Sequence, residues 1–274
     1  MQAEAPQMHR RPGRRAYLFL ALFALALVLL PFLFWYNTWF GRKLSDADLD
    51  AYFADGSRPR HIQHALVQLG ERVSHRRNAA RWYPCVIAQA ASPNLEIRQT
   101  AAWIMGQDRA YPPFHAGLRK LIQDPEPMVR RNAALGLAAF GDAAARGELA
   151  AMLRPFLVRA AVAGPVRYRL KVGDYVNPGS LLAHVGDFEV RSPVPGEVLT
   201  LDHREGDAVA PGDALVQLSA GETHVWEALR ALYLVGRWED LEDVRRFTRP
   251  ASNLPEPVAR QAALTLRAIE ARGK

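Results

Sequence analysis

His61 and His64 stand three residues apart in a stretch of helical periodicity, a spacing that sets two imidazoles on one helix face where they could share a metal ion. No carboxylate or third histidine lies close to them in the sequence, and the pair is read as part of a solvated helix face. Asp46, Asp48 and Asp50 hint at calcium. Yet residues 44–50 have neither the central glycine nor the distal bidentate acid of a calcium loop. Ser45 is better placed as a helix N-cap, with Asp48 at the third helical position to complete a capping box. Glu239, Asp240, Glu242 and Asp243 read as an exposed acidic helix face. The lone Cys85 belongs to no group with zinc-ligand spacing and has no internal disulfide partner. No nucleophile stands beside a base, and no phosphate loop is present. These patterns predict a chain that is not an enzyme and carries no cofactor, no metal and no small-molecule substrate.

The formal charge of +7 and the pI near 9.8 raise nucleic acid as a partner. Part of the excess sits in the run from His9 to Arg15, and the other arginines are spread at helical spacing. Aromatic stacking positions and base-reading motifs are missing, so nucleic acid is set aside.

The elements that must position any site begin with residues 16–36, AYLFLALFALALVLLPFLFWY, a run free of charge. About twenty apolar residues at ~1.5 Å rise each span a hydrocarbon core of ~30 Å. The run ends in Trp35, Tyr36, Trp39 and Phe40, rings suited to a lipid-water interface, which predicts a retained transmembrane helix rather than a cleaved leader. Four arginines precede it, whereas Arg42 and Lys43 alone follow closely before three aspartates. The bias places the basic tail 1–15 in the cytoplasm. In a Gram-negative bacterium the body would then be periplasmic, on a single-pass inner-membrane protein.

Self-similarity dominates the chain beyond this segment. Ile97-Arg98-Gln99-Thr100-Ala101-Ala102 returns as Val129-Arg130-Arg131-Asn132-Ala133-Ala134, each copy after a proline-containing turn, and a third copy starts at Val258 with Ala259 in the arginine position. Proline in a first turn starts a helix without losing a needed N–H, and paired alanines let helices approach closely. The motif resembles HEAT repeats of the short type associated with phycobilisome-lyase-like proteins. The resemblance implies an α-solenoid that binds macromolecules, with Arg98 and Arg130 bonding between repeats.

Between residues 160 and 220 the helical period stops and a different duplication appears. Gly173-Asp174-Tyr175-Val176-Asn177-Pro178-Gly179 returns as Gly206-Asp207-Ala208-Val209-Ala210-Pro211-Gly212, with Pro-Gly pairs suited to type II turns. The doubled unit resembles the biotinyl/lipoyl-like barrel-sandwich hybrid. That family carries its cofactor on a lysine at the hairpin between the halves, and the segment here, residues 183–190, contains none. A carrier role is therefore disfavoured. His184, Asp187 and Phe188 are instead the candidate exposed contact.

The flanks of this domain both read as repeat helices, which predicts insertion of the β domain into the solenoid at an exposed tip. Trp226, Tyr233 and Trp238 are expected to pack at the junction. The fold class expected is α+β multidomain: an N-terminal transmembrane helix, HEAT-like helix pairs over 44–157, an inserted all-β domain over 160–220 and C-terminal HEAT-like helices over 222–274. The function expected is a membrane-anchored scaffold or assembly subunit whose partners are the lipid bilayer and other protein subunits of a membrane complex. An adaptor of an export system is the alternative, weakened because no long coiled-coil hairpin separates the β halves.

Overall fold

The computed structural model describes residues 14–38, 42–75, 78–248 and 255–273. The chain divides into two compact units, residues 1–54 and 55–274. The first contains α1 (Arg14–Thr38) and α2 (Asp46–Ala54). Over Tyr17–Phe34 the mean hydropathy of α1 is 2.7 and its side chains are almost all exposed, so the helix has no polar face to turn to water. Length and composition suffice to cross a membrane, a test that a signal sequence also meets. Residues 1–13, with most of the basic tail, and Trp39 and Phe40 lie outside the described residues. Ser45 and Asp48 close the capping box of α2: Asp48 N–H donates to Ser45 Oγ (3.1 Å) and Ser45 N–H donates to Asp48 Oδ2 (3.0 Å).

The second unit is built from α3 (Pro59–Ser74), α4 (Tyr83–Gln89), α5 (Leu95–Met105), α6 (Pro112–Leu121), α7 (Pro127–Ala139), α8 (Arg146–Met152), α9 (Glu222–Val235), α10 (Leu241–Arg245) and α11 (Glu256–Arg272). Proline occupies the first turn of α3, α4, α6, α7 and α11. Asn94 caps α5, its side chain accepting from the backbone N–H of Glu96 and Ile97. Helices α3, α5, α7, α9 and α11 form one row, each packed on the next, and α4, α6, α8 and α10 flank that row. The paired alanines of the repeat, Ala101, Ala102, Ala133 and Ala134, are fully buried where the row is tightest.

Between α8 and α9 the chain builds eight strands: β1 (Phe156–Arg159), β2 (Gly164–Tyr168), β3 (Tyr175–Val176), β4 (Leu181–Val185), β5 (Phe188–Arg191), β6 (Gly196–Leu201), β7 (Ala208–Val209) and β8 (Ala214–Leu218). The change of fold falls at Phe156, earlier than the boundary of 160 suggested by periodicity. A four-residue strand straight after a helix is too short to show a period of two. The strands form two antiparallel four-stranded sheets, β1-β8-β6-β3 and β5-β4-β2-β7. Replacing each strand by its copy in the other half turns one order into the other, so the domain is a symmetric duplication. The buried core repeats accordingly, with Val166, Leu182 and Val185 answered by Val198, Leu215 and Leu218. The halves interlock: Gly173 N–H donates to Val198 O in the second half (2.9 Å), and Gly206 N–H donates to Val166 O in the first (2.8 Å).

One close approach is decisive for this packing. A Cβ at Gly196, the first residue of β6, would lie 2.5 Å from the carbonyl oxygen of Ser219, a backbone atom that has nowhere to go. Gly196→Ala is expected to destabilise the β domain by about 1–3 kcal/mol, read by thermal unfolding of the full chain in detergent. Gly147→Ala, which meets no atom within 4 Å, should not.

Candidate protein-interaction groove

Arginines tie the helical row together. Arg98 donates to both carboxylate oxygens of Asp124 (2.7 and 3.1 Å) and to the carbonyls of Ser92 and Pro93 (3.0 and 3.2 Å), joining the turn before its own helix to the turn before α7. Arg130 repeats the pattern one unit on, donating to Glu148 (2.9 Å) and to the carbonyls of Asp124 and Pro125 (2.9 and 2.8 Å). Two more links reach across the β domain. Arg146 donates to Asp240 (2.7 Å) and Glu239 (2.6 Å), and Arg154 donates to both oxygens of Asp243 (2.9 and 2.6 Å). Asp240 and Asp243 are 5 % and 3 % exposed, so they belong to no solvated acidic face. Their partners lie about ninety residues away in sequence, which is why helical spacing alone misplaced them. His64 is likewise buried rather than solvated, and Asp55 sits 4.0 Å from His61. Among the described residues no group of three or more metal-ligating side chains occurs.

One side of the row opens into a groove of about 620 Å³, lined by α5, α7, α9 and α11. Trp103, Tyr233, Leu234 and Leu264 line it and are 42–53 % exposed. Its floor is set where α5 and α7 pass so closely that a Cβ on Gly136 would lie 3.1 Å from the Cα of Gly106. Arg230 lies on the rim, its guanidinium 4.5 Å from the centre of the Trp226 ring. Beside it, burial pushes the Glu227 carboxyl above its ordinary range, against the opposing charge of Arg230. Tyr233 faces the groove rather than packing at the junction with the β domain, and Trp238 is 62 % exposed.

Residues 83–164 match the family model for HEAT repeats. No curated protein matches the chain. The match begins at α4 and runs into the start of β2, and beyond the β strands the helical row continues with α9 packed on α7 and α8. HEAT repeats suggest a protein-interaction scaffold, and the exposed apolar groove lies on the helical row, lined by α5 and α7 within the matched residues and by α9 and α11 beyond them.

The other candidate contact does not converge. Gly186 (φ 58°) and Asp187 form the two-residue turn from β4 to β5, and His184 pairs across the sheet with Glu189 whereas Phe188 pairs with Val185. Successive pairs face opposite sides, so His184 and Phe188 share no face, and neither lines the groove. Pro178-Gly179 and Pro211-Gly212 occupy the corners of matching turns, each closed by a bond from the fourth residue back to the first, and Gly173, Gly179, Gly206 and Gly212 all take positive φ of 85–95°.

Where the β domain meets the helices, Arg131 is 4 % exposed, its Nε without a hydrogen-bond partner. Burial lowers its pKa, Glu148 opposes that and Arg130 adds to it. Burial also brings His224, at the start of α9, down to about 4, with the Arg131 charge adding to the shift. A histidine kept neutral in the fold but free to charge when unfolded stabilises fully above its ordinary 6.5, and the fold then weakens as pH falls toward 4. His224→Gln should remove part of that acid loss, about 1–2 kcal/mol for a ring partly open to solvent screening, seen as a flatter curve of melting temperature against pH. Arg154→Ala leaves Asp243 buried with only the longer contact to Arg246, 3.4 Å, and should cost about 2 kcal/mol or more. Asp243→Ala should cost less, since Arg154, whose side chain is 56 % exposed, can turn to water. Chemical denaturation of both variants checks the order.

Proposed function

We propose that this protein is a membrane-anchored scaffold that holds another protein in its HEAT groove and acts by binding rather than by catalysis. The observation that carries the reading is the cluster Trp103, Tyr233, Leu234 and Leu264, large apolar side chains left in solvent by three different helices around one groove. Aromatic and leucine side chains grouped this way are what binding energy concentrates on. Their presentation on a stiff row tied by arginine-carboxylate pairs lowers the ordering cost of association. The apolar α1 supports a transmembrane anchor, with the body outside the cytoplasm and the partner a subunit of the same membrane complex. The β domain is read as a barrel-sandwich hybrid of the biotinyl/lipoyl type, supported by its swapped twofold duplication and paired Pro-Gly turns. It serves this scaffold without a cofactor, since the turn at Gly186-Asp187 offers no amine for amide attachment.

Gentle detergent extraction of the full chain, followed by affinity capture and identification of bound proteins, tests the reading. A defined set of partners should co-purify and be lost from Tyr233→Asp/Leu264→Asp, while thermal unfolding of the variant stays unchanged. A chain that emerges alone at every salt concentration sinks it. Intact mass should equal that of the polypeptide, and an added biotinyl or lipoyl group would overturn the cofactor-free reading.

A further inference from the structure

The groove carries a polar line as well as an apolar one. Asn132, Glu227 and Gln261 all line it, and each is the sixth residue of its helix, α7, α9 and α11 in turn. Helices α7 and α9 start side by side, where the Arg131 charge reaches His224. Helices α9 and α11 run the same way: Thr265 Oγ1 donates to Leu229 O, and further along α11 Arg272 donates to the carbonyls of Leu232 and Gly236. The three side chains therefore stand level across the groove, with Leu135 and Leu264 about one turn beyond them.

Donors and acceptors are not balanced along this line. Asn132 Nδ2 donates to Gln99 O (3.0 Å) and Gln261 Nε2 to Thr265 Oγ1 (3.3 Å), and on the α5 side Gln107 Nε2 donates to Trp103 O (3.4 Å). Each amide thus turns its N–H group to its own chain. Among the described residues nothing donates to their side-chain oxygens, nor to the half-buried carboxylate of Glu227. Glu227 and Arg230 are the charged residues of the lining, and they form no ion pair. The Arg230 guanidinium lies instead against the Trp226 ring, and burial outweighs its charge in moving the Glu227 carboxyl above the ordinary range. A half-buried carboxylate without a donor lowers the stability of the fold that holds it.

We propose that the occupant of the groove is a segment of another protein that lays apolar side chains on Trp103 and Leu264 and presents a Lys or Arg to Glu227. The inference rests on the reading of the groove as a protein-binding surface and adds the chemistry that selects what binds there. A cation at Glu227 makes a charge-assisted hydrogen bond to a carboxylate already partly stripped of water, and the oxygens of Asn132 and Gln261 on either side accept its remaining N–H groups. An acidic segment is turned away by the same carboxylate, although the chain as a whole carries a charge of +7.

The probe is a displayed library of short random peptides, selected on the full chain in detergent. The net positive charge draws acidic peptides without specificity, so the expected enrichment, a Lys or Arg beside large apolar residues, runs against the background. Binding of the leading peptide, followed by fluorescence anisotropy, should weaken about tenfold with Glu227→Gln. Replacing the peptide's cation by norleucine should weaken it equally, and the two changes together should do little more than either alone. Tyr233→Asp should abolish binding, with Leu264→Asp as the second groove variant if the first folds poorly. Glu227→Gln should melt no lower than the wild type. A lower melting temperature would assign the carboxylate to the fold and overturn the proposal, as would selected peptides without a cation, additive effects of the two changes, or no selected peptide. Peptides lost with Tyr233→Asp yet indifferent to Glu227→Gln overturn this inference and leave the groove standing. Peptides indifferent to both groove variants overturn the reading of the groove as well.

Discussion

The hydrogen-bonded pairing of β1 with β8 is what lets everything else stand. Phe156 lies opposite Leu218 in that antiparallel pair, so the strand that enters the β domain and the strand that leaves it are neighbours. An insertion whose ends meet side by side returns the chain close to where it left, and α9 can then pack on α7 and α8 as the next member of the row. Had the ends been separated, the helical array would have been cut into two pieces, each with an open apolar face and too few repeats to hold itself. The bonds Arg146–Asp240 and Arg154–Asp243 then fasten the two sides of the interruption.

That arrangement couples two kinds of rigidity. The helical row depends on small residues at the contact, Ala101, Ala133, Gly106 and Gly136, so its spacing is set by backbone approach rather than by long side chains that could repack. The β domain depends on turns whose backbone needs glycine and on two halves that bond into each other. Large apolar side chains left exposed on these ordered parts include Trp103, Tyr233, Leu234 and Leu264 in the groove and Phe188 beside the β4–β5 turn. Binding surfaces of this kind present apolar area on elements that are already ordered.

The buried cation at the joint has a different character. Arg131 gains no carboxylate of its own because Glu148 is held by Arg130, and His224 stays neutral beside it. Burial, with the Arg131 charge adding to it, makes this joint favour neutral over acid pH, in a region where the helices and the β domain share a surface through Met128.

Local chemistry was legible in the residues. Pro in first turns, the Ser45/Asp48 box, the Ile97-Arg98 and Val129-Arg130 repeats and the doubled Gly-Asp/Pro-Gly units each act within a few residues of themselves, and their consequences follow from short-range sterics and hydrogen bonding. The earlier start of the β duplication, Phe156-Leu157-Val158-Arg159 copied at Phe188, was also present as a signal, hidden by a one-residue difference in spacing between its parts. What the chain alone left undecided was everything that depends on which distant residues meet: the burial of Asp240 and Asp243 by arginines beyond the insert, the covering of His64, and the exposure of Tyr233 and Trp238. Those outcomes were decided by tertiary packing, because whether a charge is solvated or a ring is covered depends on the neighbour that folding brings, and the sequence around a residue does not contain that neighbour.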